Sequence, residues 1–380
     1  MGGVRQALWG GLLAIALLGC QAAGPAAPPP APAAPPSSPA GAPSGAPAGA
    51  SGTEAPARAL PVPLSPPVTV RVGVLASISD SGIYIGLERG YYRELGLELQ
   101  VETIPEPNTI GAMVNTNQLE VGGYGVNANP FLAAARGIGV KMVADKGQYR
   151  PGFGYAALLV RPDLMDSGAI RTLADLRGHT LAKLSVCDSM DPPIQRVLER
   201  YGLTRDDVQL TYLSFPDMNV ALANRAVDVA FQIEPLMTLA MERGIGRKLA
   251  GGEEVYPYQQ VAALYYSPAF ASRTDAAQRF MVAYVRALRD YNDAFGKGVG
   301  RAEVVQILAK HTTVKDIPLY DKLVPAGLDP DGRLNVQGIR DDLALFGRLG
   351  CITGEIADVS QVVDESFVNY ALSVLGPYAR

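Results

Sequence analysis

The chain has 380 residues, 33 basic and 37 acidic side chains, a net charge of −4, 48% hydrophobic and 18% charged residues. A slight acidic excess excludes the basic footprint that nucleic acid requires, and beyond the first twenty residues no apolar run is long enough to cross a bilayer. Three cysteines and two histidines supply neither a disulfide framework nor a metal-ligand set of useful spacing.

The first segments of the chain are not expected to fold. A basic leader at residues 1–6 precedes about ten mostly apolar residues, enough for the core of a signal and short of the roughly 20 that a spanning helix needs. Leu17, Leu18, Gly19 and Cys20 close that run and resemble the lipobox of bacterial lipoproteins. The resemblance implies removal of residues 1–19, attachment of lipid to the Cys20 thiol, and anchoring on the extracytoplasmic face of the cell membrane. An ordinary secretory signal is the alternative. Residues 20–67 follow, almost entirely Ala, Pro, Gly and Ser with one acid, Glu54, and one base, Arg58. Such a composition buries too little apolar surface to offset its ordering entropy, so a disordered stalk is expected, on the order of 140 Å long if fully extended.

The remaining head, residues 68–380, has the size of two domains. Short β-rich runs alternate with amphipathic stretches, the pattern of an α/β architecture. Strands are expected at 68–75, 97–104, 120–123, 140–144 and 156–160, with helices at 83–95, 109–117 and 129–136 between them. A second set follows, with strands at 179–184, 208–213 and 227–232 and helices at 192–201, 217–224 and 236–243. One late strand is expected at 261–266, then helices at 276–295, 302–311, 336–349 and 365–375. This order predicts a first lobe of residues 68–160 and 265–380 with a second lobe, 161–264, inserted into it, so that two crossovers make a hinge. Cys187 and Cys351 then belong to different lobes and are expected to be free thiols.

Three stretches carry a family resemblance: RTLADLRGHTLAKL at 171–184, VLERYGLTRDDVQLTYL at 197–213 and ALANRAVDVAFQIEPL at 221–236. With GIYIGLERGYYRELGLELQVE at 82–102 and NQLEVGGYGVNANPFLAAARGIGVKMVA at 117–144, they resemble the solute-binding proteins of nitrate, sulfonate, taurine and thiamine-pyrimidine importers. No single motif is diagnostic, but their order and spacing together are specific. The resemblance implies a two-lobed, type II-like periplasmic binding protein, monomeric and without a cofactor. Such a protein closes on a small solute and delivers it to an ABC permease and its ATPase.

In open α/β sheets ligands sit beyond the carboxyl ends of the strands, which places the candidates on loops. Ser79, Asp80, Tyr84, Asn108, Tyr124, Asn127, Tyr149, Tyr155, Cys187, Asp188, Ser189 and Glu234 are the expected ligand-binding residues. Each has a plainer role available. Asp80 is equally suited to capping the following helix, Asp191 and Asp217 suit helix starts, and single tyrosines more often fill a core than stack on ligand. An oxyanion pocket would use helix N-termini together with a cation or several neutral donors. These loops instead offer Asp80, Asp188 and Glu234, with Arg150 the clearest base, which favours a neutral or amino-bearing heteroaromatic solute such as a thiamine-pyrimidine precursor or riboflavin. A sulfonate, taurine or nitrate is the alternative.

Catalysis is not expected. Enzymes of the resembled family that build the thiamine pyrimidine need a reactive histidine and a cysteine-rich run, whereas this chain has only His179 and His311. No nucleophile elbow or phosphate loop is present either. A lipid-anchored sensory receptor would use the same architecture and stays open.

Overall fold

The computed structural model describes residues 59–379. Ten strands form among them: β1 (Val68–Val74), β2 (Leu97–Thr103), β3 (Val121–Gly125), β4 (Lys141–Gln148), β5 (Ala156–Val160), β6 (Thr180–Lys183), β7 (Gln209–Tyr212), β8 (Val229–Ile233), β9 (Arg247–Gly251) and β10 (Gln260–Tyr266). They build two five-stranded mixed sheets, ordered β2-β1-β3-β10-β4 and β7-β6-β8-β5-β9. In the first sheet β1 runs parallel to β2, from Val68 opposite Leu97 to Val74 opposite Thr103, and β10 runs antiparallel to both β3 and β4. In the second, β5 is the antiparallel strand, between β8 and β9.

β1 shows how the residues choose this arrangement. Its VTVRVGV alternation is β-branched and extended, with Val70, Val72 and Val74 fully buried and Arg71 left to bind Glu120 at the surface. β5, β8 and β10 are buried at every position, as strands covered on both faces must be. The long helix Thr274–Gly296 covers the first sheet with twelve buried residues, among them Phe280 and Tyr284. Phe280 sits edge-on to Tyr266 and Phe270, at 5.8 and 6.0 Å between ring centroids.

Several expectations are corrected. β9 was not expected, because RKLAG carries neither alternation nor β-branched residues; β5 supplies its pairing partner. β5 lies in the second sheet and the whole of β10 in the first, so the chain crosses between lobes at residues 149–155 and 252–259. The helix expected at 83–95 is two, Ser81–Glu88 and Tyr91–Glu94, separated at Gly90 with φ +74°. Residues 60–67, assigned to the stalk, lie on the first lobe: the Leu64 N–H donates to Leu95 O at 3.2 Å and its side chain packs on the core. Cys20, the leader and the rest of the stalk lie outside the described residues.

The two head cysteines are not free. Cys187 and Cys351 form a disulfide across 164 residues of sequence, with 5.6 Å between Cα atoms. The helix Val336–Arg348 that precedes Cys351 lies against Asp191–Arg200 of the second lobe, a proximity that linear spacing does not show. Replacing Phe280 by alanine is expected to lower stability by about 3–5 kcal/mol, the cost of emptying a large aromatic site, read as a shifted midpoint in urea unfolding.

Candidate functional site

Between the two sheets lies a cavity of about 40 Å³. The first lobe lines it with Ser77 and Ser79 after β1, Gly125 at the end of β3, Asn127 just beyond it, and Lys146 of β4; the second lobe contributes Asp188, Ser189, Met190, Phe215 and Ile233. Tyr149 and Tyr155 line it from the crossing between β4 and β5, their rings tilted at 57° and 5.8 Å apart.

A buried ion pair organises the first-lobe wall. Lys146 Nζ lies 2.9 Å from Asp80 Oδ1 and donates to Ser79 Oγ at 2.9 Å, with both charged side chains no more than 1% exposed. The other Asp80 oxygen accepts from the Ser77 N–H and hydroxyl, each at 2.9 Å. Lys146 reaches this position across β3 at Gly123, where a Cβ would stand 2.5 Å from Lys146 Cε. Lys146 therefore donates one hydrogen bond, to Ser79, and faces Asp80 as an ion pair.

The second-lobe wall repeats the device. Buried Lys183 binds Asp188 at 2.9 Å and Asp191 at 3.0 Å. Asp188 also accepts from the N–H groups of Ser185 (2.7 Å) and Met190 (2.9 Å), while Asp191 accepts from Arg205 (2.8 Å) and the Asp188 N–H (2.9 Å). Burial raises the Asp188 carboxyl and Lys183 pulls against it. Its oxygens are spent on its own lobe. Asp191 is structural, as expected, but through these ion pairs; Met190 occupies the N-cap position.

Of the expected residues, the structure brings Ser79, Asn127, Tyr149, Tyr155, Asp188 and Ser189 to the cavity, with Asp80 directly behind Lys146. Burial pushes the Tyr149 and Tyr155 phenols well up, so both stay protonated. Tyr84 stacks on His311, with centroids 4.7 Å apart, away from the cavity. Tyr124 stacks on Tyr265 at 4.0 Å and borders, with Asn108, a separate surface pocket. Cys187 is consumed by the disulfide. Glu234 is fully buried beside an adjoining chamber of about 80 Å³, where it accepts from the Thr238 hydroxyl at 2.7 Å, the Thr238 N–H at 3.1 Å and the Val324 N–H at 2.9 Å.

Arg150, the base expected among these loops, turns away to Asp329 at 3.3 Å. Lys146 takes the cation's place and was missed because β4 was expected to stop at 144. A lysine inside an otherwise buried strand, followed by a tyrosine, was the available signal. His179 pairs with Asp228 at 3.0 Å and His311 with Glu88 at 2.7 Å, both remote from the cavity. Among the described residues no group of three His, Cys, Asp or Glu side chains is arranged to hold a metal ion.

The family model described as NMT1/THI5 like matches residues 78–292. No curated protein sequence matches the chain. Among solved structures, the alkanesulfonate-binding protein SsuA from Xanthomonas axonopodis pv. citri, bound to MOPS, is similar at 21% identity and a TM-score of 0.63, over 78% of this chain and 99% of that one. The nitrate-binding protein NrtA from Synechocystis PCC 6803 is similar at 13% identity and a TM-score of 0.67, over 82% and 89%. The desulfurization enzyme DSZB is similar at 18% identity and a TM-score of 0.57, over 80% and 99%. These identities show a shared fold, the two-lobed α/β architecture of periplasmic binding proteins.

Glu234 supplies a test of its buried placement. Burial raises its carboxyl from the ordinary range to about 7. The folded state then binds a proton that the unfolded chain has released above about pH 4, so this contribution is complete below that pH and is lost as pH rises towards 7. Glu234→Gln is expected to remove up to about 1.4 kcal/mol per pH unit from the slope of stability between pH 4 and 7, measured by urea titrations; an unchanged slope would contradict the assignment.

Proposed function

The chain belongs to the NMT1/THI5-like family, and from that premise we propose that it is the solute-binding component of an ABC import system, taking a compact oxyanion with a small apolar body. The observation that carries this is a buried lysine in a cavity wall flanked by the starts of four helices. Pro107, Met190 and Phe215 line the cavity at the first residue or N-cap of Pro107–Asn115, Asp191–Arg200 and Phe215–Ala223, and Ser79 lies two residues before Ser81–Glu88. The first-turn N–H groups of Pro107–Asn115 and Asp191–Arg200 are absent at proline or bonded within the chain, so these helices act through their dipoles. The positive ends of helices favour anions. The Lys146 ammonium lines the same cavity, and the Ser189 hydroxyl, one Asn127 amide proton and the tyrosine phenols add neutral donors.

The acidic loops that favoured an amino-bearing solute no longer argue against an anion. Asp80 and Asp188 are each neutralised by a buried lysine, and Glu234 stands in the next chamber. Volume points the same way. A cavity of about 40 Å³ is space for about three or four waters, which suits a short alkanesulfonate or a similarly small oxyanion better than a flavin. Met190, Phe215 and Ile233 supply the apolar wall that a bare nitrate would leave unused. The tilted tyrosine pair supports a thiamine-pyrimidine precursor as the second reading.

Transport is favoured over catalysis because neither histidine reaches the cavity and the cysteine near it is covalently spent. The two lobes would then act as a clamp, solute shifting the population towards the closed form in proportion to its differential affinity. The lipobox-like segment supports lipid attachment at Cys20, an extracytoplasmic position, and delivery to a permease and its ATPase.

Two measurements test this. In a thermal-shift series of methanesulfonate, taurine, nitrate, an aminopyrimidine and riboflavin, the small sulfonates are expected to raise Tm, and Ser189→Ala to weaken their binding about 10- to 100-fold, the loss of one hydrogen bond to a charge. Stabilisation by the pyrimidine or flavin alone would overturn the oxyanion assignment. Separately, Cys20→Ala is expected to abolish incorporation of labelled palmitate and release the protein from the membrane fraction; retention there with label would refute the anchor.

A further inference from the structure

The Cys187–Cys351 bond joins the lobes at a third point, apart from the two backbone crossings. Its second-lobe end is built into the cavity wall. Cys187, in the left-handed region at φ +56°, immediately precedes Asp188, Ser189 and Met190. That loop is held rigid by Lys183, by the Asp188 bonds to the Ser185 and Met190 N–H groups, and by the Asp191 bond to the Asp188 N–H.

The first-lobe end is equally fixed. The Cys351 N–H donates to Phe346 O at 2.9 Å in the last turn of Val336–Arg348, and Ile352 packs on the first-lobe core. Around the bond the lobes are already closed on each other. A Cβ at Gly125 would stand 2.7 Å from Ser189 Oγ, and Gln259 Nε2 donates both to Ser189 O at 2.9 Å and to Asp342 Oδ2 at 3.0 Å. Two crossings leave the lobes free to rotate about them, and a covalent tie between fixed parts of both lobes limits that rotation.

We propose that the Cys187–Cys351 disulfide is a latch that holds the clamp shut around the cavity, and that an extracytoplasmic dithiol oxidoreductase opens it. Both cysteines are half-buried, within reach of an attacking thiolate. That thiolate bonds to one sulfur, the other cysteine leaves as a thiolate and takes a proton, and the reductant's second thiol resolves the mixed disulfide. Two electrons and two protons pass to the protein, which ends with two thiols while the reductant ends as a disulfide. A disulfide-bearing oxidant of the same class runs the steps in reverse. The latch is independent of which solute the cavity takes.

The test uses the full chain without solute. Amide hydrogen exchange at residues 125–127 and 185–190 is measured for the oxidised protein, for protein reduced with dithiothreitol, and for the Cys187→Ser/Cys351→Ser variant, with peptide mapping to establish the cross-link and circular dichroism to establish folding. Exchange at both facing segments is expected to be at least tenfold faster in the reduced protein and in the variant than in the oxidised protein, with the fold retained. Equal rates in the three samples would overturn the proposal. So would a peptide map of air-oxidised protein lacking the cross-link, or loss of the fold on reduction, which would make the bond a stabiliser instead of a latch. Should the variant not fold, the reduced wild-type sample decides the same question.

Discussion

The Lys146–Asp80 ion pair is the interaction on which the cavity depends. Both groups are withdrawn from water, and a buried charge is tolerable only when its partner and further hydrogen bonds replace hydration. Asp80 therefore accepts from Ser77 twice while Lys146 donates to Ser79, and the loop after β1 is shaped by that requirement. The same requirement puts a side-chain-free position at Gly123 of β3, because the lysine stem must pass there. Loop conformation, strand composition and site polarity thus follow from one desolvated pair.

The second lobe solves the same problem separately. Lys183 is caged by Asp188, Asp191 and the Ser185 carbonyl, which fixes the turn leading into Asp191–Arg200 and points that helix's first turn at the cavity. Each lobe thus carries its own balanced charge cluster and presents donors, not free carboxylates, to the space between them. Such a division suits a clamp, since the Lys146–Asp80 and Lys183–Asp188 pairs stay together when the lobes separate. Contacts that cross between lobes include Glu234 to the Val324 N–H, Gln259 to Ser189, an exposed Lys322–Glu242 ion pair and the disulfide.

Much of the architecture was legible because hydrophobic periodicity is local. The VTVRVGV and AALLV strands and the long amphipathic helix Thr274–Gly296 announce themselves within a few residues, whereas the helices expected from 109 and 217 begin two residues earlier, at Pro107 and Phe215. β9 did not, because RKLAG becomes a strand only through its pairing with β5. Tyr84 and Tyr124 are aromatic residues near strand ends, as a stacking platform would be, but their partners His311 and Tyr265 are remote in sequence and turn them into packing.

The sequence by itself determined the α/β class and the family, since each follows from short-range pattern or from ordered motifs. Tertiary structure alone decided the character of the site. Asp80 and Asp188 carry negative charge in any sequence listing, yet whether they repel an anion depends on lysines 66 and 5 positions away that only the folded sheets bring to 2.9 Å. Coulomb energy falls with distance and dielectric, neither of which is written in the order of residues. The joining of Cys187 to Cys351 is of the same nature, a contact between two lobes that no local signal encodes.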